Sequence, residues 1–244
     1  MPTAAAQYRL PFSRVQLLHQ RLADPLRWRS PQRIFVDSMA DLFHPDVPLE
    51  FLHGVFRTME AANWHIFQVL TKRPERMADY AKARYGQPGT VPAHIWLGTS
   101  VEDSRVLERV EALREATASV RFLSCEPLIG PLEPLDLSGI HWVIAGGESG
   151  PRYRPLDLNW VRQLRDKCVA AGVAFFFKQV GGRTPKAGGR ELDGRTWNDF
   201  PELDEPNLNL APTSRLRIKG VLHDLGPDGM IRREDEMEDR IGAR

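Results

Sequence analysis

Six short apolar runs recur along the chain with helical sequence between them: IFVDS from Ile34, FQVLT from Phe67, IWLGT from Ile95, VRFLS from Val120, WVIAG from Trp142 and FFFKQ from Phe175. Each is continuous rather than alternating. Strands that read this way are covered on both faces, as in a parallel sheet flanked by helices. The segments between them supply the helices. Leu52, Val55, Phe56 and Met59 have helical spacing beginning near Pro48, a residue suited to a first turn. Asp103 or Ser104 is placed to cap a helix bearing Val106, Val110 and Leu113, and Asn159 one bearing Val161, Leu164 and Cys168, with Gly172 as its stop.

Strand, helix, strand repeated in this way implies right-handed crossovers and an α/β fold, and leaves open whether the sheet closes. The strand ends favour closure. A dinucleotide-binding open sheet has a glycine-rich turn after its first strand, whereas the first strand here leads into DSMADLFHP, without glycine. Nearly every run instead ends in polar residues: Asp37 and Ser38; Thr71, Lys72 and Arg73; Thr99, Ser100 and Glu102; Ser124 and Glu126; Glu148 and Ser149; Lys178 and Gln179. In a (β/α) barrel these converge on one mouth. The expectation is therefore a partial (β/α) barrel of about six parallel strands, beside the roughly eight of a complete one. It occupies residues 1–201 with its N-terminal strand missing, and residues 202–244 form a charged, loop-rich tail with a short hairpin around RLRIKGVLHDL.

Lys and Arg number 33 against 32 for Asp and Glu, so no whole-molecule field draws the protein to nucleic acid or an anionic membrane. Any such binding has to be local. No apolar run reaches the roughly 20 residues that span a bilayer, and the start lacks the order of a secretory signal. A cytoplasmic protein is expected. Its two cysteines, Cys125 and Cys168, suit a reducing compartment and are too few for a disulfide framework.

TKRPERM places Lys72 and Arg73 at the mouth as anion binders for a phosphate, a carboxylate or a sulfonium-linked carboxylate, although Pro74 and Glu75 also suit a solvated helix start. Cys125 invites a nucleophile, but no histidine is well placed as its base and His44 comes nearest; packing is the default for such a thiol. Glu126 is the better candidate, for proton transfer or for binding a ribose or ammonium group. Gly146 and Gly147 permit close backbone approach, and Glu148 then supplies a carboxylate; the same residues also suit a strand-ending turn. Lys178 can pair with Glu126 or Glu148 across the mouth, structurally or catalytically. The proposed set is thus Glu126, Glu148 and Lys178 for chemistry, with Asp37, Lys72, Arg73, Glu102, Gly146 and Gly147 for binding a cofactor. No metal motif emerges, and Trp28, Trp64 and Trp197, without a basic stripe beside them, make a thin case for nucleic acid.

Taken together, PLRWRSPQRIFVDSMADLFHPDVP, FQVLTKRPERM, IWLGTSVED, RFLSCEPLIGP, WVIAGGESGP and FFFKQVGGRTPKAGGRELDGRTW resemble a family of phage and prophage proteins of unknown function, itself similar to a distant branch of the radical S-adenosylmethionine enzymes. The resemblance runs from Leu22 to Pro201. It implies a barrel of radical-enzyme type, S-adenosylmethionine and an iron–sulfur cluster held by three closely spaced cysteines ahead of the PLRW segment. This chain has no cysteine before Cys125, so radical chemistry does not follow for it, and it is expected to be inactive as it stands. Three readings stay open: a radical-type barrel protein acting on nucleic acid or nucleotide, a non-catalytic barrel binding a ligand or the protein of a neighbouring gene, and a cluster-free hydrolase or transferase using Glu126 and Lys178.

Overall fold

The computed structural model describes residues 11, 14–36, 40–86, 92–184 and 186–201, and the backbone of 215–218, 221–225 and 231–233. The six apolar runs form six strands: β1 (Arg33–Val36), β2 (Ile66–Thr71), β3 (Ile95–Ser100), β4 (Val120–Cys125), β5 (Trp142–Gly146) and β6 (Ala174–Gln179). They make one parallel sheet in sequential order, curled into half a barrel. Between them run α2 (Leu49–Ala61), α3 (Pro74–Tyr85), α4 (Glu108–Arg114) and α5 (Leu158–Ala171), with a short α1 (Asp24–Arg27) ahead of β1. Because all six strands are parallel, their C-terminal ends share one edge.

Helix ends follow the local chemistry. Pro48 is the N-cap of α2, and Pro74 opens α3, where the missing N–H has no partner to lose. Asp103 caps a single 3-10 turn by accepting from the Arg105 N–H, and α4 starts only at Glu108. The cap of α5 is Asp157, which accepts from the Asn159 N–H. Asn159 itself is inside the helix, since the Asp157 carboxylate two residues earlier already meets the free donor. Gly172 ends α5 in the left-handed conformation at φ 66°.

The chain forms two compact units, Met1–Ile34 with Leu42–Phe67 and Glu205–Arg244, and Phe35–Asp41 with Gln68–Asp204. In the second, register puts Trp96, Phe122, Trp142 and Ala174 on one face, with Phe176 two residues further along β6. There Trp142 packs 5.6 Å from Trp96, 5.7 Å from Phe122 and 6.1 Å from Phe176, with Phe200 at 5.0 Å. Gly98 lies beneath Phe122: a Cβ there would sit 2.5 Å from the ring. The other face carries Leu123, Val143, Phe175 and Phe177 and meets α5, whose Arg165 lies over Trp197 while Trp197 packs on Phe175. The free side of β6 is closed by an antiparallel bridge from Phe176 to Asn198, with Phe177 N–H donating to Trp197 O at 3.0 Å. A two-stranded hairpin, β7 (Glu191–Leu192) with β8 (Arg195–Thr196), precedes it. The backbone of β9 (Arg215–Ile218), β10 (Val221–Leu225) and β11 (Ile231–Arg233) makes a three-stranded antiparallel sheet, whose first pair is the hairpin read from RLRIKGVLHDL.

In the first unit, fully buried His65 ties the approach to β1 in place. Its Nδ1 accepts from the Gln32 N–H at 3.0 Å and its Nε2 lies 2.9 Å from Pro25 O. The ring is therefore neutral, with its proton on Nε2. Desolvation lowers its pKa below the usual 6.5, against the backbone contacts with Pro25 and Trp28. The unfolded chain then takes up the proton more readily, so this contribution is complete above the ordinary histidine pKa and is lost as pH falls toward the folded value. The urea midpoint is expected to fall from about pH 7.5 to about pH 5.5, less steeply in His65→Gln. A flat wild-type profile would contradict the assignment.

Candidate functional site

At the C-terminal edge of β2 and β3 the side chains form a connected ionic chain. Asp41 accepts from Thr71 Oγ1 at 2.6 Å, from the Lys72 N–H at 3.3 Å and from Arg73 Nη1 at 2.5 Å. Thr71 Oγ1 also accepts from the Arg73 N–H at 2.9 Å. One carboxylate thus fixes the turn from strand into α3. Lys72 Nζ pairs with Glu102, whose other oxygen accepts from Arg109 Nη1 at 3.0 Å. Glu102 is 13% exposed and set between two cations, while Lys72 is 58% exposed.

At β4 to β6, Lys178 Nζ donates to Glu126 Oε2 at 2.8 Å. Gly146 leaves room for that carboxylate, since a Cβ there would lie 3.2 Å from Glu126 Cγ. The next glycine serves a different contact. A Cβ on Gly147 would stand 1.9 Å from Val180 O, and one on Gly181 2.3 Å from Glu148 O. The loops after β5 and β6 therefore touch backbone to backbone. Gly147 N–H donates to Gln179 O at 2.9 Å, Gly182 N–H to Glu148 O at 3.0 Å, and Gln179 Nε2 to Ser149 Oγ at 2.9 Å.

Glu148 turns to Arg154, accepting from its Nε and its backbone N–H, each at 2.9 Å. The Arg154 guanidinium, with that N–H, holds the Glu148 carboxyl down at about 2. Asp103 is held at about 2 in the same way by Arg105. Both are ionised acceptors at neutral pH.

The structure brings Lys72 to Glu102 and Glu126 to Lys178, and sets Gly146 against Glu126. Asp37 lies outside the described residues. Asp41, Arg109 and Arg154 were missed by sequence reasoning, because their partners Arg73, Glu102 and Glu148 are set by the fold rather than by a motif. Trp64 is buried, donating to Trp28 O at 2.8 Å, and Trp197 is gripped between Arg195 and Arg165.

The two thiols do not match a cluster. Both are fully buried; burial pushes the Cys125 thiol up and the Cys168 thiol up to about 12, whereas an iron–sulfur cluster needs thiolates. Among the described residues no group of three His, Cys, Asp or Glu side chains is placed to hold a metal ion. Among them, too, no helix is long and apolar enough to cross a membrane.

The family model described as "Protein of unknown function (DUF5131)" matches residues 1–201. No curated protein and no solved structure matches the chain.

Proposed function

Because the chain belongs to the DUF5131 family, proteins of unknown function, we propose its role from the strand-end edge: a radical-S-adenosylmethionine-like half-barrel of phage or prophage kind that binds S-adenosylmethionine there and takes a nucleotide-type substrate. The carrying observation is the set of charges contributed at the ends of four strands, Lys72 after β2, Glu102 after β3, Glu126 after β4 and Lys178 near the end of β6, joined as two opposite-charge pairs. S-adenosylmethionine brings an ammonium, a carboxylate and a sulfonium, so it can exchange with such pairs without leaving a bare charge.

The exposure within each pair suits exchange. Lys72 and Lys178 are 58% and 52% exposed, whereas Glu102 and Glu126 are 13% and 20% exposed. The carboxylates are pre-set and the lysines are free to swing outward. Opening an exposed pair of this kind costs only about 0–1 kcal/mol. In this reading Glu126 receives the ligand ammonium, Lys178 turns to its carboxylate, and Gly146 keeps Glu126 in place. Cys125 and Cys168 hold no cluster, so the share of these residues is to bind and orient. Any thiolates serving the site come from elsewhere. The buried thiols also favour a second reading, a ligand-binding barrel without catalysis, which uses the same edge.

Isothermal titration tests the site. Wild-type protein is expected to bind S-adenosylmethionine below about 1 mM, and Glu126→Gln and Lys178→Met each to weaken it roughly 10-fold, the loss of one charge-assisted contact. Absence of binding up to about 1 mM, a free energy of about 4 kcal/mol, would sink the reading.

A further inference from the structure

The loops after β5 and β6 build a basic surface that neither makes by itself. Residues 149–155 carry Arg152 and Arg154; residues 178–190 carry Lys178, Arg183, Lys186 and Arg190; neither stretch contains Asp or Glu. Glu148 and Glu191 bound these stretches, and Glu148 and Glu126 take up Arg154 and Lys178, so the local excess of positive charge is carried by the remaining cations. The two stretches are far apart in sequence and are stitched together in the fold. Ser149 and Gly182 form a parallel bridge, Gly150 N–H donates to Gly182 O at 2.9 Å, and Val180 N–H donates to Gly189 O at 2.9 Å, folding the second loop back on itself.

Three of the cations are already engaged: Lys178 with Glu126, Arg154 with Glu148 and Arg190 with Asn198. Arg152, Arg183 and Lys186 are exposed and have no ion pair among the described residues. Between Arg152 and Arg154 stands Tyr153, 38% exposed, the one exposed large apolar side chain among the described residues of these loops.

We propose that the paired loops after β5 and β6 dock a single-stranded nucleic acid, its phosphodiester backbone lying along Arg152, Arg183 and Lys186 and one base stacking on Tyr153. Guanidinium groups suit phosphate oxygens, and an exposed aromatic ring beside them is the platform an unpaired base uses. A membrane surface is disfavoured because membrane-binding elements insert several apolar side chains, and only Tyr153 is on offer here. A duplex is disfavoured because neither loop presents a helix to a groove. The inference deepens the nucleotide-substrate part of the reading above. It rests on that part and not on S-adenosylmethionine binding, which uses other residues.

The test is fluorescence anisotropy with a labelled single-stranded oligodeoxynucleotide of mixed sequence, using the full chain. Three neutralised phosphates at about 0.7 each give a log–log salt slope near −2, so affinity is expected to drop roughly 15- to 20-fold from about 50 to about 200 mM salt. The triple variant Arg152→Gln, Arg183→Gln, Lys186→Gln is expected to flatten that slope and to weaken binding at least about 10-fold. Tyr153→Ala is expected to weaken it roughly 10-fold and Tyr153→Phe to restore it. All of these variants are expected to retain wild-type melting and S-adenosylmethionine titrations. No binding at low salt, an unaffected triple variant, or equal capture of duplex, polyglutamate or anionic phospholipid vesicles would overturn the proposal. Loss of S-adenosylmethionine binding with oligonucleotide binding intact would instead count against the proposed cofactor.

Discussion

Gly147→Ala is expected to melt about 6–12 °C below the wild type, against a far smaller shift for the neighbouring Gly146→Ala. The added methyl at position 147 would stand 1.9 Å from Val180 O and 2.8 Å from Val180 C, so it meets backbone that cannot rotate away. Forcing the two loops apart disturbs Gly147 N–H to Gln179 O and Gly182 N–H to Glu148 O as well. Overpacking of this severity costs about 3 kcal/mol, and each kcal/mol moves the melting point of a domain this size by about 2–4 °C. At Gly146 the obstacle is Glu126 Cγ at 3.2 Å, the middle of a side chain able to give by a few tenths of an ångström. That variant is expected to keep its stability and to weaken ligand binding at Glu126. Circular dichroism melts of the pair check the contrast; equal shifts would show that the loops are not locked at Gly147.

The contrast marks where the sequence was readable. Continuous apolar runs announced six strands because burial on both faces favours apolar residues at successive positions; β3 and β5 are buried throughout, whereas β1 alternates exposed and half-buried residues, and parallel strands necessarily bring their polar ends to one edge. TKRPE, the glutamates at 102 and 126 and Lys178 were found for that reason. Gly172 was legible as a helix stop because a left-handed turn has few alternatives. The cap of α5 was misplaced by two residues: Asp157 and Asn159 are both good caps, and only the path of the loop decides between them. Asp41 escaped because its partners Thr71 and Arg73 are about 30 residues away and no periodicity links them. The basic surface escaped for a related reason. Arg152 and Arg183 stand on separate loops, and a stripe drawn by backbone contacts through Gly150 and Gly182 has no signature in either segment. Glycine pairs there read as permission for a ligand to approach, whereas at Gly147 the space is taken by Val180 O.

Trp142→Ala is expected to have the larger structural effect. The indole is 3% exposed and meets Trp96, Phe122, Phe176 and Phe200, joining residues from four strands with the segment that closes the sheet. Its Nε1 also donates to Asp199 O at 2.9 Å, holding that segment beside β6. Removing so large a buried aromatic costs about 4 kcal/mol, or a melting point lower by roughly 8–16 °C. Trp142→Phe separates the two contributions. It keeps ring packing but leaves Asp199 O without its donor, a loss of about 1 kcal/mol. Because Phe177 N–H to Trp197 O and Asp199 N–H to Phe175 O depend on the same segment, hydrogen exchange at Phe177 and Asp199 should speed up in both variants. Exchange at Leu97, inside β3 and remote from that segment, should rise only with the global loss of stability in Trp142→Ala. Were Phe177 and Asp199 to stay as protected in Trp142→Phe as in the wild type, the indole would be a packing group alone, and β6 would owe its closed edge to the backbone bridge at Phe176 and Asn198.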